Sequence, residues 1–248
     1  MYRARIGSGN FSKTDFLHIP FNKRGLVSTQ RFSIAGVPSM YFGLTSYVCW
    51  LELDKPADNL FNIAAYELPK VMKVLNLAIP QSMINGYSND DNLVDQFISM
   101  IELFPLVIAT SIKINENNRA FKSEYIISQL IMQCLKDHNI DGIAYLSKRV
   151  SNDNNFPYAV NLAVPMKNKI GSNFSDFSTT VPFTSPINYG EYKQIANKNQ
   201  LQRTTFHSFA SLYNLHQRIR YLDKSINYGD LHFCELDDYL YNQTFSPI

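Results

Sequence analysis

Arg31, Tyr41 and Glu52 sit on two short segments joined by the turn Gly36-Val37-Pro38-Ser39. An arginine presents a rigid fork of donors that suits a diphosphate. A tyrosine offers a flat ring on which a nicotinamide can stack, and a hydroxyl to orient it. A glutamate beside a ribose can accept its hydroxyl protons and stabilise the positive charge that develops as a glycosidic bond breaks. Where the leaving group is already a cationic ring nitrogen, no acid is needed to protonate it. One carboxylate then suffices, whereas ordinary sugar hydrolysis commonly uses two. The three side chains are thus a minimal kit for gripping a dinucleotide and cutting it at the sugar. Each also has an ordinary reading: Arg31 as an ion-pair partner, Tyr41 as a half-buried strand residue, Glu52 as a surface charge.

The elements that must position them are legible in outline. Tyr2-Arg3-Ala4-Arg5-Ile6 alternates, with Tyr2, Ala4 and Ile6 on one face, and predicts a half-buried strand. In the turn at 36–39, Gly relaxes φ and Pro fixes it. A second strand follows over Met40 to Gly43, and Thr45 caps a short helix running to about Leu53. Shorter strands are expected near Asn62 to Glu67 and Val71 to Leu77. Helices are expected over Asp90 to Leu103 and Ser123 to His138, the second with a wide apolar stripe of Ile126, Ile127, Leu130, Ile131, Cys134 and Leu135. Strands over Ile143 to Ser147 and Tyr158 to Val164 close this part of the chain. After Pro165, Asn, Ser, Tyr and Thr dominate. Thr204 to Tyr213 fits helix or strand, and Glu235 to Tyr241 predicts a terminal helix. Residues 1–165 are expected to form the core and 166–248 an extension packed on it, within one domain.

Bulk composition narrows the function classes. The 248 residues are 45% hydrophobic and 18% charged, which suits a packed core and argues against wholesale disorder. A net charge of +2 gives no electrostatic argument for nucleic acid. Cys49, Cys134 and Cys234 are widely spaced among apolar neighbours and are expected to be buried free thiols. No two of the five histidines pair at metal-ligand spacing, so no metal is expected. There is no phosphate loop of the GxxxxGK[ST] type, no HExxH helix and no GxSxG elbow. Gly7-Ser8-Gly9 reads as a simple turn, and Lys148-Arg149 as a solvated strand end with a secondary possibility of phosphate contact. With no secretory pattern and no apolar run near the roughly 18 residues of a membrane helix, the chain is expected to be cytoplasmic.

Several stretches together carry a resemblance. They are Tyr2 to Arg5, Arg31 to Gly43, Trp50-Leu51-Glu52-Leu53, Glu124 to Gln129, Asp141 to Ser147 and Asn161-Leu162-Ala163-Val164-Pro165. In this order the chain resembles the RES family, named for its arginine, glutamate and serine. The resemblance implies an α+β fold of the ADP-ribosyltransferase type, with two short sheets around a cleft and flanking helices. It implies NAD as substrate, and membership among toxins of bacterial toxin–antitoxin pairs. Carried over by position, Arg31 is the family arginine, Glu52 the glutamate and Ser147 the serine, with Ser46 the other candidate. Tyr41 matches a tyrosine on the nicotinamide side, and Arg3 an N-terminal arginine that helps hold the dinucleotide. Ser128 stands where a proline is common, and Asn76 where an aspartate is common.

The expected activity is cleavage of the nicotinamide–ribose bond of NAD by water or by phosphate. Arg3, Arg31, Tyr41 and Ser147 would bind the dinucleotide, and Glu52 would stabilise the ribosyl cation. Two rivals stand beside it: ADP-ribosyl transfer to a protein or small molecule, and a non-catalytic module that keeps the pocket. The toxin reading implies a neutralising antitoxin that covers or enters the cleft. Neither direct nucleic-acid nor membrane binding is expected.

Overall fold

The alternation at the N-terminus folds as its pattern demands. Tyr2–Ile6 forms β1, with Tyr2 buried and Ala4 against the core, while Ile6 at the strand end is exposed. A computed structural model describes residues 1–79, 94–112, 114, 122–149, 156–199, 218–222 and 224–248, with backbone alone at 94–100 and 198–199. Beyond β1 the order is β2 (Ser39–Gly43), α1 (Ser46–Glu52), β3 (Phe61–Ala65), β4 (Val74–Leu77), α2 (Val94–Thr110), α3 (Ile126–Cys134), β5 (Gly142–Leu146) and β6 (Val160–Pro165). Then follow α4 (Asp176–Thr180), β7 (Ile187–Asn188), α5 (Tyr189–Asn199), β8 (Arg218–Tyr221), β9 (Lys224–Asn227) and α6 (His232–Tyr241).

The class is α+β, as expected. The strands join in one mixed seven-stranded sheet of order β4-β5-β6-β2-β1-β3-β7, with β8-β9 as a separate hairpin. β2 is the link: it pairs with β6 along its length and with β1 through Tyr2 and Gly43, uniting the strands of both ends of the core.

Register then decides which side chains share a face, because successive residues of a strand point to opposite sides. Tyr41 lies opposite Ala163, Gly43 opposite Asn161, Ile143 opposite Ala163 and Tyr145 opposite Asn161. These residues project from one face together with Tyr2, Ala4 and Ile63. On that face, two apolar clusters flank the middle of the sheet. One holds Trp50, Phe61, Ile63, Tyr189, Tyr192, Phe233 and Leu236; the other holds Phe32, Leu77, Val107, Met132, Leu135 and Ile143. The opposite face carries Met40, Phe42, Ala64, Tyr66, Leu162 and Val164 against Phe16, Leu17 and Phe183.

The helices depart from expectation in instructive ways. The start expected at Asp90 lies outside the described residues, and α2 runs past Leu103 through Pro105 to Thr110. Burial of Val107 and packing of Leu103 and Leu106 against the core outweigh the backbone hydrogen bond that proline removes. Of the stripe expected on 123–138, only Leu135 and, in part, Ile131 face the core. Ile126, Ile127, Leu130 and Cys134 are exposed, while Ser128, Met132 and Leu135 are buried. The segment is a short α-helix between two 3₁₀ turns, Ser123–Tyr125 and Leu135–His138, and their tighter winding rotates the inward face away from a uniform helical period. Cys134 is therefore an exposed thiol, while Cys49 and Cys234 are buried as expected. The expectation for Thr204 to Tyr213 falls outside the described residues.

The C-terminal elements seat on α1. Asp237 of α6, fully buried, accepts from the Ser46 amide at 2.9 Å and from the Tyr228 hydroxyl at 2.5 Å, while the Ser46 hydroxyl donates to the Phe233 carbonyl at 3.2 Å. Burial pushes the Asp237 carboxyl up to about 7, against the pull of those donors from Ser46 and Tyr228.

Candidate functional site

Glu52 owes its place to Gly43 and Thr45. A side chain at Gly43 would come within 2.4 Å of Val48 Cγ1 and 2.7 Å of Cys49 Sγ, so glycine lets α1 fold straight back over β2. Thr45 caps the helix: its Oγ1 accepts from the Val48 amide at 3.2 Å and donates to the Tyr158 carbonyl at 2.8 Å. At the other end the chain turns left-handed at Asp54 (φ 64°) and Lys55 (φ 56°), and the Lys55 amide bonds back to the Trp50 carbonyl at 2.9 Å. Glu52 is thus the last residue of α1. A carboxylate there faces the negative end of the helix, a placement that works against folding by a few tenths of a kcal/mol. Helix stability therefore does not favour a carboxylate at this position.

Glu52 Oε1 accepts from Asn161 Nδ2 at 2.6 Å. Asn161 lies opposite Tyr145 in β5 and Gly43 in β2, so the carboxylate hangs over the middle of the sheet, between the two apolar clusters.

Arg31 reaches the same hollow from the loop before β2. Its neighbour Phe32 is fully buried and packs on Tyr145 with ring centres 4.5 Å apart, which anchors the loop. The Arg31 guanidinium lies 5.9 Å from the centre of the Tyr125 ring, and one of its terminal nitrogens donates to the Ile112 carbonyl at 3.5 Å. Arg31 Nε is buried and has no hydrogen-bond partner among the described residues, while the buried Tyr41 hydroxyl lies close enough to Ser33 and the Phe32 backbone for both to oppose the rise of its pKa. Buried orphan polar atoms are rare, and one on a guanidinium suits a polar ligand.

Electrostatics tie the group together. Burial pushes the phenols of Tyr41, Tyr125 and Tyr145 upward. Glu52 adds to the rise in each case, while Arg31 opposes it at Tyr125 and Tyr145. All three rings therefore stay neutral through the physiological range. The arrangement is a neutral aromatic wall with the Glu52 carboxylate and the Arg31 guanidinium set beside it.

The other residues singled out from the sequence are placed differently. Ser147 is buried just beyond β5; its amide donates to the Ala159 carbonyl at 2.9 Å and its hydroxyl accepts from the Arg149 amide at 3.2 Å. Among the described residues no hydrogen bond joins Ser147 to Arg31, Tyr41 or Glu52. Ser46 is committed to α6, as described above. Arg3 lies opposite Ala64, on the face of the sheet away from the Tyr41 ring. Its guanidinium donates to the carbonyls of Phe16 at 3.0 Å, Tyr41 at 3.3 Å and Leu17 at 3.4 Å, and burial pushes its pKa down to about 10. Arg149 pairs with Asp54 at 3.0 Å in an exposed bridge and is close enough to Tyr125 to lower its pKa.

Tyr125, Tyr145 and Asn161 were not singled out by residue type. All three lie in the stretches that carry the family resemblance, which is the signal that could have found them. Among the described residues no three His, Cys, Asp or Glu side chains gather as metal ligands would, and no helix is long and apolar enough to cross a membrane.

Comparison with known proteins adds to this picture. The chain is similar to "Putative toxin YopC" of Bacillus subtilis (strain 168), 32% identical over 171 residues. That match takes in 64% of this chain and 39% of the relative, so the chain spans well under half of the relative it matches. No solved structure matches the chain at a significant level. The RES domain family model matches residues 1–171, which hold β1 to β6 and every side chain of the hollow. The chain belongs to the RES domain family.

Proposed function

We propose that this protein is a toxin-type enzyme that destroys NAD by cleaving its nicotinamide–ribose bond. The observation that carries the reading is that Tyr125 and Tyr145 each feel both Arg31 and Glu52, Tyr41 feels Glu52, and Arg31 Nε is buried with no hydrogen-bond partner among the described residues. In this reading the Arg31 fork grips the diphosphate. The tyrosine rings, neutral and electron-rich on their faces, receive the cationic nicotinamide ring. As the bond from C1′ to the ring nitrogen breaks, its electron pair neutralises the pyridinium and positive charge appears on the ribose. Glu52 faces that charge and stabilises it. The oxygen of water or of phosphate then bonds to C1′. Water loses a proton to solvent and yields ADP-ribose, while phosphate yields its 1″-phosphorylated form.

The test is release of nicotinamide from NAD by purified protein. Wild type is expected to turn over. Glu52→Gln is expected to lose about 10²–10³-fold in kcat, the cost of removing one transition-state stabiliser. Equal turnover by the variant would remove Glu52 from the reaction, and label from NAD accumulating in proteins would move the acceptor from water to a side chain.

The reading includes a cytoplasmic site of action, where NAD is consumed, and a neutralising protein partner. Apolar side chains exposed on α2 (Ile101, Phe104, Ile108) and α3 (Ile126, Ile127, Leu130) support the partner. Tyr125, over which Arg31 lies, directly precedes that face of α3.

A further inference from the structure

We propose that Asn161 is a positioning residue that holds Glu52 in its working orientation; its place in a reaction rests on the NAD-cleaving reading, whereas the contact itself does not. A side chain on the last residue of a two-turn helix has many rotamers, and the left-handed turn at Asp54 and Lys55 does nothing to restrict it. Asn161 stands on firmer ground. It is 3% exposed, and its backbone is held between β2 and β5 in the middle of the sheet. Its amide donates to Glu52 Oε1 at 2.6 Å, a short charge-assisted bond that ties the loose carboxylate to the most constrained part of the fold.

The choice of an amide has a chemical consequence. Lysine or arginine at 161 would hold the carboxylate equally well but would cancel its charge. An amide orients the group, leaves its negative charge available to a developing ribosyl cation, and takes no proton from it. With Oε1 occupied, Oε2 is the oxygen left to face the sugar.

The test separates positioning from packing. Asn161→Asp keeps the shape but replaces the donor by a second carboxylate; Asn161→Ala removes both shape and donor. Positioning predicts kcat for NAD in the order wild type, Ala, Asp, with losses of about 10-fold and about 100-fold and KM within about threefold in both. Filling space predicts that the two variants exchange places, with the isosteric Asp more active than Ala and wild type above both. Thermal unfolding of each variant checks that it is folded. A second readout needs no turnover: in ¹⁵N-labelled protein the Asn161 side-chain amide proton is expected at unusually low field, moving upfield in Glu52→Ala. A normal resonance, or an Asp variant as active as a wild type that consumes NAD, would overturn the role alone. A low-field resonance in a wild type that leaves NAD intact would overturn the reaction, and the role in it, while the contact stood.

Discussion

Arg31 makes the residue-scale argument sharpest. Phe32 beside it is fully buried, Tyr125 lies beneath its guanidinium, and yet Nε is buried with no hydrogen-bond partner among the described residues. On the proposed function, that unsatisfied donor is there for a ligand. If that is a diphosphate, charge alone will not replace it. Arg31→Lys keeps the cation and loses the two-pronged geometry, and is expected to raise KM for NAD about 10-fold, roughly 1.4 kcal/mol, with kcat changed less. An unaltered KM would assign Arg31 to structure. Arg3 shows the opposite condition: its three nitrogens are spent on three backbone carbonyls.

At the scale of elements, α1 and α3 differ in how local signals translate into structure. α1 is set by its own sequence, since Gly43, Thr45 and the turn after Glu52 define both ends within ten residues of its middle. α3 is set by its neighbours: Ile131 and Met132 turn toward the core, while Ile126, Ile127 and Leu130 end up outward. An exposed apolar face of this kind is where a protein partner gains most on binding. Under the toxin reading, Ile127→Glu is expected to leave NAD turnover unchanged. It is also expected to weaken neutralisation by the protein encoded beside this one at least 10-fold, measured by titrating turnover with that protein. Undiminished neutralisation would place the partner on another surface.

At the scale of the whole molecule, the sheet is the organiser, with the hollow on one face and a sealed aromatic layer on the other. The C-terminal elements brace α1 from above through Asp237, which joins the Ser46 amide and the Tyr228 hydroxyl. This brace makes stability depend on pH. Burial raises the Asp237 pKa from 3.8 to about 7, so between those values the folded protein holds a proton that the unfolded chain has lost. Stability from this group is therefore full below about pH 4 and declines as pH rises toward 7. Asp237→Asn is expected to flatten that slope by a few kcal/mol across the window in urea unfolding at several pH values, while Asp237→Ala, leaving the Tyr228 and Ser46 donors unpaired, is expected to destabilise at every pH. A wild-type slope that persists in the Asn variant would assign the dependence to another group.

What the chain determined on its own was local and chemical: the alternation of β1, the capped helix after Gly43, and a glutamate and an arginine of types suited to one reaction. These depend on neighbours in sequence, so a sequence displays them. Tertiary structure alone decided which side of the sheet each side chain faces, because register is a relation between strands far apart in the chain. That relation sent Arg3 to the far face and put Tyr145 and Asn161 on the side of Glu52, while packing between elements far apart in the chain left Ile126 and Ile127 of α3 outward.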